Sequence, residues 1–208
     1  MSLTVVDHPL AEDLLTGLRA LTTEPPEFGG LAKRLATVLV LEATRGLTTE
    51  AVDVETPLEI ATGARVTGGL AALPVLRAAL GMLDAVLGLF PDTVVGFVGL
   101  ERDETTLEPR VYYENLPSMA GRHCLVLDPM LATGGSATAA VSAAKEAAPT
   151  GTTFVCVVAA PEGVERMATE HPDVRIVTAA LDRELNDHGY ILPGLGDFGD
   201  RLFGTGRN

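Results

Sequence analysis

Cysteine, tryptophan and lysine are scarce in this chain of 208 residues: it has two cysteines, no tryptophan and only two lysines. Two cysteines are too few for a disulfide scaffold or for a zinc site built from cysteine pairs. Cys124 and Cys156 each lie within an apolar run, which favours buried, reduced thiols. The sequence therefore predicts a fold that is stabilised by its apolar core, without covalent or metal cross-links.

A membrane-spanning segment is also missing from the pattern. Residues 71–90 are mostly apolar, but Arg77 and Asp84 lie among them. Each charge would cost a few kcal/mol in a bilayer, so a buried strand followed by a helix is the better interpretation. The first residues have neither the basic flank nor the long apolar run of a signal peptide. We therefore expect a cytoplasmic protein with no membrane contact.

Basic residues are outnumbered by acidic ones, 15 against 28, which gives a formal net charge of −13. Nucleic acids and anionic membranes are bound mainly through lysine and arginine, so this balance argues against both as partners. All but two of the basic residues are arginines, whose planar guanidinium groups suit small anionic ligands. The 47% of apolar residues predicts a globular protein.

Hydrophobic periodicity divides the chain into two parts. Leucines repeat every three or four residues after Pro9 and predict a first helix, and a second is expected over 31–45, so residues 1–50 form an N-terminal helical region. Short apolar runs then alternate with helical patterns. Strands are predicted at 71–76, 94–100, 123–127, 153–159 and 174–179, and helices at 78–90, 136–148 and 162–170. This alternation indicates a parallel sheet covered by helices on both faces.

Two segments depart from that alternation. Residues 101–114 are polar and then β-like, which predicts a protruding hairpin or flap. Residues 186–208 are rich in glycine and aspartate and show no periodicity. No second core or low-complexity linker is evident, so residues 1–208 are interpreted as a single domain.

The segment VLDPMLATGGS, residues 126–136, is the most informative motif. A hydrophobic strand ends in Asp128, and a loop of small residues then leads into an alanine-rich helix. Glycines allow backbone N–H groups to turn inward, and a helix N-terminus adds partial positive charge, so the loop could bind a phosphate. No lysine is present, which excludes a Walker A loop. A plain glycine-rich turn with a Ser/Thr helix cap remains the alternative.

The same segment resembles the phosphoribosyl-diphosphate loop of uracil phosphoribosyltransferases, and other blocks resemble this family in the same order along the chain. These blocks are EATR at 42–45, PVLRAALGM at 74–82, RDETTLEP at 102–109, AAPEG at 159–163 and NDHGYILPGLGDFGDRLFGT at 186–205. The resemblance therefore extends over nearly the whole sequence.

The resemblance implies an α/β, single-domain type I phosphoribosyltransferase fold. Such a fold has a twisted, mostly parallel sheet with helices on both faces, a β-hairpin flap at 101–114 and a C-terminal hood for the base at 186–208. It also implies transfer of ribose 5-phosphate from phosphoribosyl diphosphate to N1 of uracil, giving UMP and diphosphate in pyrimidine salvage. Mg²⁺ is the implied cofactor, held mainly by substrate oxygens and not by a protein metal site. A homodimer or a higher homo-oligomer is expected.

Site residues follow from the matching positions. The resemblance implies catalytic roles for Asp128 at the ribose hydroxyls, for Arg77 and Arg102 at the diphosphate, and for Asp197 near the ribose or its Mg²⁺. The residues expected to bind phosphoribosyl diphosphate are these four together with Pro129, Met130, Leu131, Ala132, Thr133, Gly134, Gly135 and Ser136. Those expected to bind uracil, largely through their backbone, are Ile191, Gly196, Asp197 and Phe198. His123 and His188 are interpreted as structural.

Several positions differ from the family pattern. Ala79 replaces a glycine beside the expected diphosphate site, where a methyl group could be costly if the backbone needs a positive φ. Glu101 and Asp103 add carboxylates next to Arg102, and Phe198 stands where alanine is usual. Two alternatives therefore stay open: a regulatory or nucleotide-sensing paralogue with weak catalysis, and a phosphoribosyltransferase for another nucleobase.

Overall fold

The structure is a computed structural model, which describes residues 2–102 and 109–205. Its helices are α1 Pro9–Arg19, α2 Pro25–Ala43, α3 Leu80–Leu89, α4 Gly135–Glu146, α5 Pro161–Glu170 and α6 Phe198–Phe203. Its strands are β1 Ser2–Val5, β2 Thr49–Glu55, β3 Ile60–Val66, β4 Gly69–Leu76, β5 Val94–Val95, β6 Phe97–Arg102, β7 Pro109–Asn115, β8 Arg122–Leu127, β9 Met130–Leu131, β10 Gly151–Ala159, β11 Arg175–Leu181, β12 Glu184–Leu185 and β13 Ile191–Leu192.

The main sheet has the order β1-β11-β10-β8-β4-β6-β7, with β5 beside β4 and β9 beside β10. Every pairing in it is parallel except that of β6 with β7, which is antiparallel. The predicted mostly parallel sheet is therefore confirmed. The five predicted strands are also present, but that at 94–100 is divided into β5 and β6 at Gly96.

Helices cover both faces of this sheet. Alternate residues of β8 point to opposite sides: Leu125 and Leu127 pack with α1, α2 and α3, whereas Cys124 and Val126 pack with α4 and α5. Both faces of a central parallel strand must be apolar for this arrangement, which explains the unbroken hydrophobic run in the sequence. Cys124 and Cys156 are free and buried, as predicted, and burial raises the pKa of each thiol to about 12.

The N-terminal region differs from the prediction in three ways. Strand β1 precedes the helices and pairs with β11 at the edge of the sheet. Helix α2 begins at Pro25, not near residue 31, because two prolines at its start suit the first turn of a helix. The hairpin β2–β3 was not predicted, since its residues are almost all exposed and leave no buried-face pattern in the sequence.

The expected flap is an antiparallel hairpin that starts earlier than predicted, since β6 begins at Phe97 and β7 ends at Asn115. Asp103 and the rest of 103–108 lie outside the described residues. The C-terminal segment, which shows no periodicity in the sequence, contains β13 and α6. None of the helices in the described ranges is long and apolar enough to cross a membrane.

Candidate functional site

The candidate site is a cavity of about 440 Å³ at the carboxyl ends of β4 and β8. Ligands bind at this edge of parallel sheets, where strand-to-helix loops converge. The residues that line the cavity are Val75, Leu76, Ala78, Leu100, Asp128, Met130, Ala132, Thr133, Gly134, Ser136, His188, Gly189, Tyr190, Ile191, Gly196, Asp197, Phe198 and Gly199. The fold thus brings the motif at 126–136 and the C-terminal segment to the same cavity, although they are some 60 positions apart in the sequence.

The loop before α4 has the backbone geometry of an anion site. Gly134 has a φ of +81°, in the left-handed region, and is the N-cap residue of α4. No side chain caps this helix, so the alternative of an ordinary Ser/Thr cap is wrong. Thr133 and Ser136 are half-buried at the cavity wall, where they place hydroxyl groups beside the helix N-terminus.

Helix α5 supports this loop from behind. A Cβ atom added to Gly163 would lie 2.5 Å from the carbonyl oxygen of Ala132, and one added to Gly134 would lie 3.1 Å from that of Gly163. Two backbone segments therefore approach each other as closely as glycine permits. The carbonyl oxygens of Pro129 and Leu131 accept hydrogen bonds from the β10 segment, from Val157 at 2.9 Å and Ala160 at 2.8 Å. These contacts fix the loop to the sheet.

Asp128 follows β8 directly and lines the cavity, yet its side chain is largely buried. One carboxylate oxygen accepts a hydrogen bond from the backbone N–H of Met130 at 3.2 Å. Burial outweighs that hydrogen bond and raises the pKa of Asp128 to about 7. The carboxylate is therefore a desolvated acceptor, poised for hydroxyl donors from a ligand.

The C-terminal wall of the cavity is a tightly turned loop. Gly194 and Gly196 both have positive φ, and a Cβ atom at Gly194 would overlap the carbonyl oxygen of Ile191. Asp197 caps α6, since its Oδ1 accepts a hydrogen bond from the Asp200 N–H at 2.8 Å. The ring of Phe198 is buried, and its centroid lies 5.0 Å from that of Phe28 in an edge-to-face contact.

The two predicted diphosphate arginines are placed differently. Arg77 lies between the lining residues Leu76 and Ala78, and its exposed guanidinium lies 5.9 Å from the centre of the Phe203 ring. Arg102 ends β6, and its side chain lies outside the described part of the structure. Arg77, Pro129, Leu131 and Gly135 are not among the residues that line the cavity.

Two departures from the family pattern acquire a structural explanation. Ala79 has a φ of −69°, so no positive φ is needed there, and its buried methyl group packs in the core beside α3. Glu101 lies across the β6–β7 pair from Arg110, with their charged groups 3.9 Å apart. A positive φ, the condition under which alanine would be costly at this position, is therefore not found.

Sequence reasoning missed several lining residues. These are Val75, Leu76, Ala78, Leu100, His188, Gly189, Tyr190 and Gly199. His188 was interpreted as structural but is exposed at the cavity, and its position inside the block 186–205 was the available signal. His123 is structural as predicted, since its Nε2 lies 2.9 Å from the Thr153 hydroxyl.

Comparisons with known proteins agree with this geometry. The family model of uracil phosphoribosyltransferase matches residues 5–205. Uracil phosphoribosyltransferase of Dictyoglomus turgidum is 52% identical over 203 residues, covering 97% of this chain and 98% of that protein. The protein of the same name from Geobacillus kaustophilus is 50% identical, with 97% of each chain covered.

Solved structures give the same picture of the fold. A protein from Aquifex aeolicus is similar with a TM-score of 0.94 and 35% identity, covering 99% of this chain and all of that one (100%). A hypoxanthine phosphoribosyltransferase from Staphylococcus aureus, with a TM-score of 0.50 and 9% identity over 83% of this chain and 82% of that one, shares the fold alone. Together with the match to the family model, these similarities show that the chain belongs to the uracil phosphoribosyltransferase family.

Proposed function

We propose that this protein transfers the 5-phosphoribosyl group of phosphoribosyl diphosphate to N1 of uracil. The bond from C1 to the diphosphate oxygen breaks, the bond from C1 to N1 forms, and the N1 proton leaves, giving UMP, diphosphate and H⁺. One observation carries the proposal: the loop before α4, the buried carboxylate of Asp128 and the glycine-rich C-terminal loop meet in one cavity. Its volume of about 440 Å³ lies within the range of small-molecule sites, roughly 300–1,000 Å³.

The 5-phosphate fits the loop 132–136. The uncapped N-terminus of α4 supplies N–H donors and the positive end of the helix dipole, and Thr133 and Ser136 add hydroxyl donors. Asp128 is then the acceptor for the ribose hydroxyl groups, whose hydrogen bonds favour its ionised form. This division places the anionic group and the sugar at adjacent parts of one wall.

The diphosphate is assigned to Arg77 and Arg102, with Asp197 near the reacting ribose. A guanidinium group can donate two parallel hydrogen bonds to phosphate oxygens, and it stabilises the negative charge that grows on the leaving group. Arg77 is exposed beside lining residues, and this position supports such a contact. Arg102 is assigned by its match to the family motif.

Mg²⁺ is proposed as the cofactor, and the residues present fit the way this ion binds to phosphates. The described residues contain no group of three or more His, Cys, Asp or Glu placed to hold a metal. Mg²⁺ commonly uses one or two carboxylates together with water and substrate phosphates, and Asp128 and Asp197 offer the carboxylates at this cavity. When bound, the ion neutralises charge on the diphosphate.

Uracil is assigned to the C-terminal wall, at Ile191, Gly196, Asp197 and Phe198. Uracil presents an N–H group between two carbonyls, and a rigid loop that offers alternating backbone donors and acceptors can pair with that edge. Cytosine would leave two donors facing each other, at about 1–3 kcal/mol for each unpaired group. The positive φ values of Gly194 and Gly196 support a loop of fixed shape.

The test is a direct assay of the purified protein with Mg²⁺, phosphoribosyl diphosphate and a panel of uracil, orotate, hypoxanthine and xanthine. Of the four bases, only uracil should react, giving UMP and diphosphate in equal amounts. The Asp128→Asn variant should catalyse this reaction much more slowly. Binding of UMP without turnover would instead favour the regulatory paralogue, and turnover of another base would favour that specificity. Since Ala79 packs in the core with a negative φ, this departure from the family pattern does not favour the regulatory alternative.

The remaining expectations are kept as proposals. A homodimer or higher homo-oligomer is supported by exposed apolar residues of the β2–β3 hairpin region, notably Leu58 at 95% and Ile60 at 73% exposure. A cytoplasmic location is supported by the two reduced thiols. Light scattering on the purified protein measures the first, and a monomer at micromolar concentration would contradict it.

A further inference from the structure

The loop at the C-terminal wall is connected to the first helix by an arginine that does not line the cavity. The Arg19 guanidinium, at the end of α1, donates to Asp182 Oδ1 at 2.5 Å and Oδ2 at 2.9 Å, and also to the carbonyl oxygen of Gly194 at 2.6 Å. Gly194 is three residues after Ile191 and two before Gly196, both of which line the cavity. Arg19 thus contacts the loop from outside.

Asp182 joins the same loop to the sheet. Its Oδ2 accepts a hydrogen bond from the Gly194 N–H at 3.0 Å, and its own N–H donates to Ala159 at 2.8 Å, at the carboxyl end of β10. The side chain of Asp182 is only 5% exposed, and that of Arg19 is 24% exposed. Both backbone groups of Gly194 are therefore held by one partly buried ion pair.

A second arginine connects the C-terminal segment to the end of α1. Arg201, in α6, donates to the carbonyl oxygen of Leu195 at 2.8 Å, to that of Ala20 at 2.6 Å and to that of Leu18. Its guanidinium also lies 4.6 Å from the centre of the Phe28 ring. It joins the C-terminal segment to the last carbonyls of α1, where a cation is favourable.

We propose that Arg19 is a positioning residue for the nucleobase, acting through Gly194 and Asp182 to set the geometry of residues 191–196. The inference rests on the proposed function, because it assigns the base to that loop. A bidentate guanidinium–carboxylate pair has a fixed geometry, and a shift of about 1 Å in a binding wall can cost two orders of magnitude in rate. The loop 132–136 is held instead by contacts with the β10 segment and with α5.

The test separates the two substrates. In Arg19→Gln, the KM for uracil should rise about tenfold or more, while the KM for phosphoribosyl diphosphate changes less than about twofold. Asp182→Asn should give the same selective rise, and the double variant should be no worse than the more affected single variant, because both changes remove one linkage.

Arg175→Gln is the matched control. Like Arg19, Arg175 donates to a carboxylate and to a backbone carbonyl, here of the same residue: to Glu42 Oε1 at 2.7 Å and to the Glu42 carbonyl oxygen at 3.3 Å. The Arg175 side chain is 29% exposed and that of Glu42 is 16% exposed. Arg175 lies at the amino end of β11, whereas the cavity lies at the carboxyl ends of β4 and β8. Its loss should lower the melting temperature and leave both KM values unchanged.

Arg19→Lys covers the case in which Arg19→Gln does not fold. Lysine keeps the charge beside Asp182 but lacks the planar fork that reaches the carboxylate and the Gly194 carbonyl together. The folded lysine variant should still show the selective rise in KM for uracil. An unchanged KM for uracil, or equal rises for both substrates, overturns the inference, whereas a wild-type protein without turnover overturns the proposed function itself.

Discussion

Gly163 and Ala132 lie so close together that a Cβ atom on the glycine would be 2.5 Å from the carbonyl oxygen of the alanine. The approach places the start of α5 directly behind the loop that leads into α4. Backbone cannot move aside as the end of a flexible side chain can, so a methyl group there must displace the loop. The shape of the proposed phosphate site thus depends on a residue outside it.

Gly163→Ala should therefore impair both folding and the use of phosphoribosyl diphosphate. Overpacking of this kind costs about 1–3 kcal/mol of unfolding free energy, and the KM for phosphoribosyl diphosphate should rise as the loop moves. Denaturant unfolding and steady-state kinetics measure the two effects. Wild-type stability together with a wild-type KM would contradict the prediction.

Gly30→Ala is the control for that substitution. Gly30 lies within α2, and a Cβ atom there would meet nothing within 4 Å. Alanine is favoured over glycine inside a helix by roughly 0.5–1 kcal/mol, so this variant should be slightly more stable and fully active.

Asp128 should make activity depend on pH near neutrality. Its pKa is raised to about 7 by burial, so the carboxyl is increasingly protonated as the pH falls below that value. A protonated carboxyl is a weaker acceptor for ribose hydroxyls, and kcat/KM for phosphoribosyl diphosphate should fall on the acid side. In Asp128→Asn, kcat/KM should be about 10–100-fold lower, and this acid limb should be absent.

The same burial predicts that stability changes with pH in the opposite direction to activity. The folded-state pKa lies above the unfolded value of 3.8, so the native state binds more protons between pH 4 and 7, and its stability falls as the pH rises through that window. Asp128→Asn removes this penalty. At pH 8 this variant should have a higher melting temperature than the wild type, and its unfolding free energy should be greater by up to about 4 kcal/mol. The difference should disappear near pH 4. A wild-type protein that is the more stable one at pH 8 would refute this.

Ala79→Gly should weaken the protein without improving catalysis. The Ala79 methyl group is buried in the core and its backbone is already in the right-handed helical region, so glycine relieves no strain. The variant loses buried apolar contact and gains unfolded-state entropy, for a cost of about 1 kcal/mol. Chemical denaturation and an activity assay at saturating substrates measure both effects, and a marked gain in turnover would restore the idea that Ala79 obstructs the site.

Hydrophobic patterns predicted the strands and helices that alternate along the chain. They missed the features that depend on the tertiary structure. The apolar run before Asp128 indicated a buried strand, and the small residues after it indicated a loop leading into a helix, so the motif was accessible from the sequence. Hairpin β2–β3 is almost wholly exposed, so it has no buried face that marks it as part of the core.

The partners of Arg19 are equally invisible in the sequence. Asp182 is 163 positions away, and nothing in the local composition indicates that the two side chains meet. The backbone angle of Ala79 was likewise beyond reach, because a family glycine does not by itself reveal whether the position has positive φ. What a sequence shows of a site is thus its chemically distinctive loops, whereas the contacts that orient those loops require coordinates.

Arg77 gives the sharpest test of how the leaving group is bound. Its side chain is exposed and contacts the Phe203 ring at 5.9 Å, so Arg77→Ala should change the unfolding free energy by less than about 1 kcal/mol. If its guanidinium stabilises the charge on the departing diphosphate, kcat/KM should fall about 10²–10³-fold, with a smaller loss in Arg77→Lys. Arg183→Ala removes an exposed arginine whose Nε lies 2.9 Å from Glu184, and it should leave the kinetics unchanged. Equal kinetics for the Arg77 and Arg183 variants would remove Arg77 from the proposed site.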